Sequence, residues 1–303
     1  MAVEPGPEIT TLATTRGPVR LRDTGGSGPP VLLVHSLLVD PDLYAPLVPL
    51  LAARGWRCVV PELPLGAHAV PLPPGSDLSP PGLAALLVAV LDALAIGRAH
   101  VVGVDTGGAL TQLLMADHRD RVDRVVLTAC DAYDAFPPLA LRPLVAPLGS
   151  RAVLAGLARL LRVPTLARLV VPRPISHRGV SDAQLARWTA PLRDPAVRED
   201  LRAVVRAMHP RYTLAAGAAN RDFPRPVLVA WGDDDRAFPR RLGDRLVAEL
   251  PDARLETLPD CAAFASLDVP ELLAELVNAH LRADRAAAPA GRGADRATPP
   301  AGR

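Results

Sequence analysis

The six residues Gly103–Gly108, GVDTGG, stand between an apolar β-type run, AHVV (99–102), and a helix-type run, ALTQLLMADH (109–118). An aspartate in this place has two readings. Asp105 either caps the following helix, satisfying its free N–H groups and favouring its dipole, or sits on a sharp strand-to-helix turn that offers its carboxylate to a ligand. Gly103, Gly107 and Gly108 stand on either side of Asp105.

Outward from this turn, short β-type runs alternate with longer helix-type segments. The expected strands are PVRLRD, PVLLVH, RCVVPE, AHVVGV, VDRVVLTA, PVLVAWG and ARLETLP. The expected helices are LYAPLVPLLAARG, PPGLAALLVAVLDALAIG, GGALTQLLMADHRD, RRLGDRLVAELP and VPELLAELVNAHLRA, with Gly55 and Gly97 where helices commonly end. This is the pattern of an α/β protein with a mostly parallel, doubly wound sheet. From about Ala132 to Asp222 the alternation stops, and Leu and Arg recur at helical spacing, which predicts an inserted helical cap. The expected plan is a core of residues 1–131 and 223–283, a cap of residues 132–222, and a disordered Ala/Gly/Pro/Arg tail of residues 284–303.

The chain has 303 residues, 49% of them hydrophobic, enough for a sizeable core. Its net charge of +2 is matched by the tail, where Arg285, Arg292, Arg296 and Arg303 face Asp284 and Asp295. The body is close to neutral, and no nucleic-acid partner is expected. Cys58, Cys130 and Cys261 are too few and too far apart for a zinc site or a disulfide framework, so neither metal nor cofactor is expected. The N-terminal stretch lacks a basic region followed by an apolar one, and every long apolar stretch is broken by Arg, Asp or Pro. A cytoplasmic protein without a membrane partner is the expectation, its oligomeric state open.

In doubly wound sheets ligands bind outside the carboxyl ends of the strands, so the residues after each strand deserve inspection. They are HSLLVD (35–40), ELPLGAH (62–68), Asp105, CDAYDAFPP (130–138), DDDRAFP (233–239) and DCAAFASLDVPE (260–271). This ordered set resembles the α/β-hydrolase family from about residue 18 to 283. WGDDDRAFP (231–239) is similar to the family's W-G-x-x-D-x-x-x-P acid loop, and VHS (34–36) to its V-H-G oxyanion loop. The resemblance implies an α/β-hydrolase fold with its cap after the sixth strand, and a small-molecule substrate. It further implies Asp105 in the nucleophile seat, Asp235 as the acid, and His35, Ser36, Leu37 and Thr106 around the oxyanion and substrate. Asp131 is the alternative acid position.

An aspartate nucleophile narrows the chemistry. Attack on an ester carbonyl would give an anhydride, which is uphill, whereas attack at an sp3 carbon gives a stable alkyl ester. Within the family this resembles the haloalkane dehalogenase and epoxide hydrolase branches. Thr106 and Leu37 stand where dehalogenases place halide-binding N–H donors. Tyr133 and Tyr212, near the two ends of the cap, are the candidates for the acid that an epoxide needs. The family's histidine is expected in DCAAFASLDVPE, where Ala262 and Ala263 occupy the usual Gly and His positions. His68, in PLGAHAVP (64–71), is the candidate replacement base. Two alternatives follow from the missing imidazole: a lyase or cyclase using Asp105 as general base, and a ligand-binding pseudo-enzyme.

Overall fold

The computed structural model describes residues 9–138, 141–162 and 175–283. Eight strands form one sheet in the order β1-β2-β4-β3-β5-β6-β7-β8. They are β1 (Ile9–Thr14), β2 (Gly17–Asp23), β3 (Pro30–Val34), β4 (Arg57–Pro61), β5 (Ala99–Asp105), β6 (Val122–Cys130), β7 (Val227–Gly232) and β8 (Ala253–Leu258). The β1–β2 and β2–β4 pairings are antiparallel and the other five parallel. Continuous apolar runs such as VLLV and VLVA are what a strand covered on both faces requires, and Val31, Leu33, Val101, Val126 and Val229 are fully buried.

Between the strands lie α1 (Leu47–Ala52), α2 (Pro80–Ala93) and α3 (Thr106–Asp117); after β7 come α9 (Arg240–Glu249), α10 (Ala265–Asp268) and α11 (Pro270–Arg282). Ser79 starts α2, its hydroxyl accepting the Gly82 N–H at 3.3 Å with proline at the first helical position. Helix α3 is buried nearly all round because it packs on β5 and β6 and is covered by a helix of the insertion. That insertion separates β6 from β7 and contributes α4 (Arg142–Val145), α5 (Arg151–Leu160), α6 (Asp182–Thr189), α7 (Pro195–Ala207) and α8 (Pro210–Ala219). The expected disordered tail lies outside the described residues.

Two local expectations change. β1 was not among the expected strands: ITTLAT is an edge strand, paired only with β2 and mostly solvent-facing, so it lacks an apolar signature. Helix α2 ends earlier than Gly97 suggests, since the left-handed residue after it is Ala95, with φ of 54°. Among the described residues no helix is long and apolar enough to cross a membrane.

The sheet order places the site. β3 has β4 on one side and β5 on the other, so the winding reverses between β3 and β5, and their carboxyl ends open a crevice there. Ser36 follows β3, and Asp105 ends β5.

Candidate active site

Asp105 sits at the β5–α3 turn with φ of 51° and ψ of −125°, a left-handed region that a residue with a Cβ enters only under constraint. The constraint is visible in the neighbouring glycines. A Cβ on Gly107 would strike the Val34 and His35 carbonyl oxygens, one on Gly103 would strike Thr111 and the Gly107 carbonyl, and one on Gly108 would strike Cys130. Asp105 makes no side-chain capping hydrogen bond to α3. Its Oδ2 instead accepts the Ser36 hydroxyl at 2.5 Å, and Thr106 Oγ1 lies 3.3 Å from its Oδ1.

Burial pushes the Asp105 carboxyl above the usual carboxylate range, and the Ser36 hydroxyl and the Thr106 N–H and hydroxyl pull it part of the way back. Asp131, just after β6, lies beside it: Thr106 Oγ1 is 3.4 Å from Asp131 Oδ2. Burial and the neighbouring Asp105 charge hold the Asp131 carboxyl well above its ordinary value. Its Oδ1 is buried without a hydrogen-bond partner among the described residues. Below, Gln112 fixes the turn by donating to the Gly108 and Asp131 carbonyls at 3.1 and 2.8 Å.

Above Asp105, Thr106 and Asp131 opens a cavity of about 310 Å³. Its walls are almost wholly apolar: Leu37, Leu38 and Phe264 from the sheet side, Leu148, Leu157 and Trp188 from the insertion. The volume falls near the lower end of ligand pockets, roughly 300–1,000 Å³. The one indole N–H on its wall is engaged, Trp188 donating to Asp40 Oδ1 at 2.8 Å.

His35 braces the loop after β3. Its Nε2 accepts the Leu63 N–H at 2.9 Å and its Nδ1 lies 2.9 Å from the Ser36 carbonyl, an arrangement that fixes a neutral ring with the proton on Nδ1. Burial holds its pKa down to about 4.

The structure engages three of the expected site residues elsewhere. His68 is buried between the core and the insertion, with Nε2 3.1 Å from Asp200 Oδ2 on α7 and Nδ1 accepting the Gly66 N–H at 3.2 Å. It ties α7 down and is not a cavity residue. The Tyr133 ring packs against Gly217 and under the Arg245 guanidinium at 3.7 Å, its hydroxyl directed to the Arg245 carbonyl. Tyr212 pairs with Arg211 through both its ring and its hydroxyl. Neither tyrosine lines the cavity.

Asp235 sits in the turn after β7, where its Oδ1 accepts the Ala237 and Phe238 N–H groups at 2.8 and 3.0 Å. Its Oδ2 is buried and unpartnered, and burial, partly offset by those two N–H groups, pushes its carboxyl up to about 6. The loop after β8 brings Ala262 and Ala263 into full burial. Asp268 fastens this loop, accepting the Ala262 N–H at 3.0 Å, the Ser176 hydroxyl at 2.6 Å and the Arg178 N–H at 3.1 Å. No histidine lines the cavity among the described residues. Sequence reading missed the Ser36–Asp105 bond and the Thr106 link to Asp131; the only hint was Ser36 standing where the resembling family usually has glycine.

A sequence model described as alpha/beta hydrolase fold matches residues 29–270. The chain is 28% identical over 270 residues to Haloalkane dehalogenase 2 of Mycobacterium tuberculosis (strain ATCC 25618 / H37Rv), spanning 87% of this chain and 91% of that protein. It is 27% identical over 275 residues to the 2-hydroxy-6-oxononadienedioate/2-hydroxy-6-oxononatrienedioate hydrolase of Burkholderia vietnamiensis (strain G4 / LMG 22486), with 87% and 91% covered. The crystal structure of haloalkane dehalogenase DbeA from Bradyrhizobium elkani superposes with a TM-score of 0.75 at 21% identity, covering 89% of this chain and 96% of its own, which shows a shared fold. With the sheet order, the glycine-flanked turn and a match across most of its length, the chain belongs to the α/β-hydrolase fold family.

Proposed function

We propose that the protein is a hydrolase-type enzyme in which Asp105 attacks an sp3 carbon of a small apolar electrophile, an epoxide or alkyl halide, and forms an alkyl-enzyme ester. The observation that carries this reading is a carboxylate held on a left-handed turn at the floor of an apolar cavity. A carboxylate needs no base for this attack, and low hydration leaves its oxygens free to meet carbon. Hydrolysis of the resulting ester does need an activated water. With Ala263 at the usual histidine position and His68 committed to Asp200, that second step is slow and the ester accumulates.

The test is intact-protein mass after incubation with 1,2-epoxyhexane or 1-bromohexane, beside Asp105→Ala. An adduct on the unaltered protein, absent from the variant, supports the reading; no adduct from either reagent overturns it. A second reading, a ligand-binding protein without turnover, is favoured by the fully buried Ala262 and Ala263 in the loop after β8 and by the unpartnered Asp235 Oδ2 in the turn after β7. Reversible saturable binding of 1-hexanol with no adduct is its signature.

A further inference from the structure

The two electrophile classes differ in what they demand of the site. Displacing a halide leaves an anion that needs hydrogen-bond donors. Opening an epoxide leaves an alkoxide, which needs a proton. The structure offers little for the halide: Thr106 follows Asp105, Leu37 follows Ser36, and the Trp188 N–H is taken by Asp40. The Ser36 hydroxyl is taken by Asp105. We infer that Asp131 is the proton donor of the site, and that the substrate class is therefore an epoxide; the inference rests on the reading of Asp105 as the attacking group.

Geometry supports this assignment. Asp131 is 1% exposed, lines the same cavity as Asp105, and has an Oδ1 without a hydrogen-bond partner among the described residues. The Thr106 hydroxyl lies between the two carboxyls, 3.3 Å from one and 3.4 Å from the other, so both reach one bound molecule. The groups facing Asp131 are Asp105 and, on its own strand, the buried Cys130 thiol. Asp235, after β7, adds to the negative side of this cluster: its charge acts on Cys130, and the Asp105 charge acts on it in turn. Asp131 makes no ion pair with a cation among those found between described residues. Two adjacent carboxyls without a cation, Asp131 fully buried and Asp105 partly so, hold one negative charge more readily than two. Asp105 is the better place for it, since it accepts the Ser36 hydroxyl, whereas the side-chain contact of Asp131 is the shared Thr106 hydroxyl, whose single proton serves one carboxyl at a time. Asp131 thus keeps the proton and Asp105 the charge.

The step balances. The Asp105 carboxylate oxygen forms a bond to a ring carbon, the C–O bond to that carbon breaks, and the ring oxygen keeps the electron pair and takes the Asp131 proton. The products are a β-hydroxyalkyl ester on Asp105 and a carboxylate on Asp131. No further reagent enters.

The experiment compares rates of adduct formation with 1,2-epoxyhexane and 1-bromohexane by intact mass, between pH 5 and 9, for the unaltered protein and Asp131→Asn. In the unaltered protein the epoxide-to-bromide rate ratio is expected to fall as pH rises through the Asp131 titration. In Asp131→Asn the ratio is expected to fall about 10²-fold or more and to lose that pH dependence, a size typical of general acid catalysis. A ratio that Asp131→Asn leaves unchanged overturns the proton-donor role. Where the variant does not fold, a pH-independent ratio in the unaltered protein overturns it equally. Absence of adduct from both reagents and from hexyl tosylate, whose charge-delocalised leaving group needs neither an acid nor a halide donor, marks failure of the Asp105 reading itself; adduct from the tosylate without adduct from the epoxide overturns the proton-donor role alone.

Discussion

Removing the Ser36 hydroxyl isolates the interaction that sets the charge on Asp105. The bond is short, 2.5 Å, and Ser36 is fully buried, so Ser36→Ala removes this donor from Asp105 Oδ2 without adding another side-chain donor. A hydrogen bond to a charged group contributes about 1.5–3 kcal/mol. At 1.36 kcal/mol per pKa unit, losing it raises the Asp105 pKa by about 1–2 units. Burial already lifts that pKa in the folded protein, so between the unfolded and folded values the native state holds a proton that the unfolded chain has released. Stability therefore falls as pH rises through that window, and Ser36→Ala widens it upward. The variant's deficit grows from acid toward alkaline pH and levels at about 1.5–3 kcal/mol once Asp105 is ionised in both proteins. Two assays read this: the pH of half-maximal alkylation by 1-bromohexane, expected to move up, and urea unfolding at pH 5 and pH 9, with the larger deficit at pH 9. A half-maximal pH that stays put or moves down, or a deficit equal at both pH values, refutes the reasoning.

Other substitutions probe the surrounding parts. Ala263→His places an imidazole in the loop near the unpartnered Asp235 Oδ2, and the Asp105 ester should then hydrolyse about 10²–10⁴ times faster, measured as decay of the adduct mass after removing excess reagent. His68→Ala should lower stability by about 1.5–3 kcal/mol through loss of the Asp200 contact, yet leave the decay rate of the adduct, once excess reagent is removed, within about threefold; a decay slowed by about 10²-fold or more would restore His68 as the base of ester hydrolysis. Gly107→Ala drives a Cβ into the Val34 and His35 carbonyls and should destabilise the fold by about 3 kcal/mol in urea titration.

How far the sequence reaches depends on the range of the interaction. The β5–α3 turn was legible because its glycines answer a local steric demand, and the parallel strands because apolar runs report burial on both faces. Strand β1 was not, since an exposed edge strand needs little hydrophobicity. The site's polar partners are set by long-range packing. Ser36 reaches Asp105 across 69 positions and His68 reaches Asp200 across 132, and no periodicity encodes either pairing. Tyr133 and Tyr212 have the residue type that epoxide opening needs, but arginines claim their rings. Asp131, read only as a second acid position, gains its interest from the Thr106 hydroxyl and from burial, which the order of residues does not display.

Asp105 is easy to isolate by proteolysis, because the chain has no lysine. Trypsin, cutting after Arg98 and Arg119, releases the peptide Ala99–Arg119, which carries Asp105 and Asp117. Fragmentation of this peptide after treatment with 1,2-epoxyhexane is predicted to place the added mass on Asp105. Added mass on Asp117, on Asp131 or on any other peptide, with Asp105 unmodified, would contradict the account.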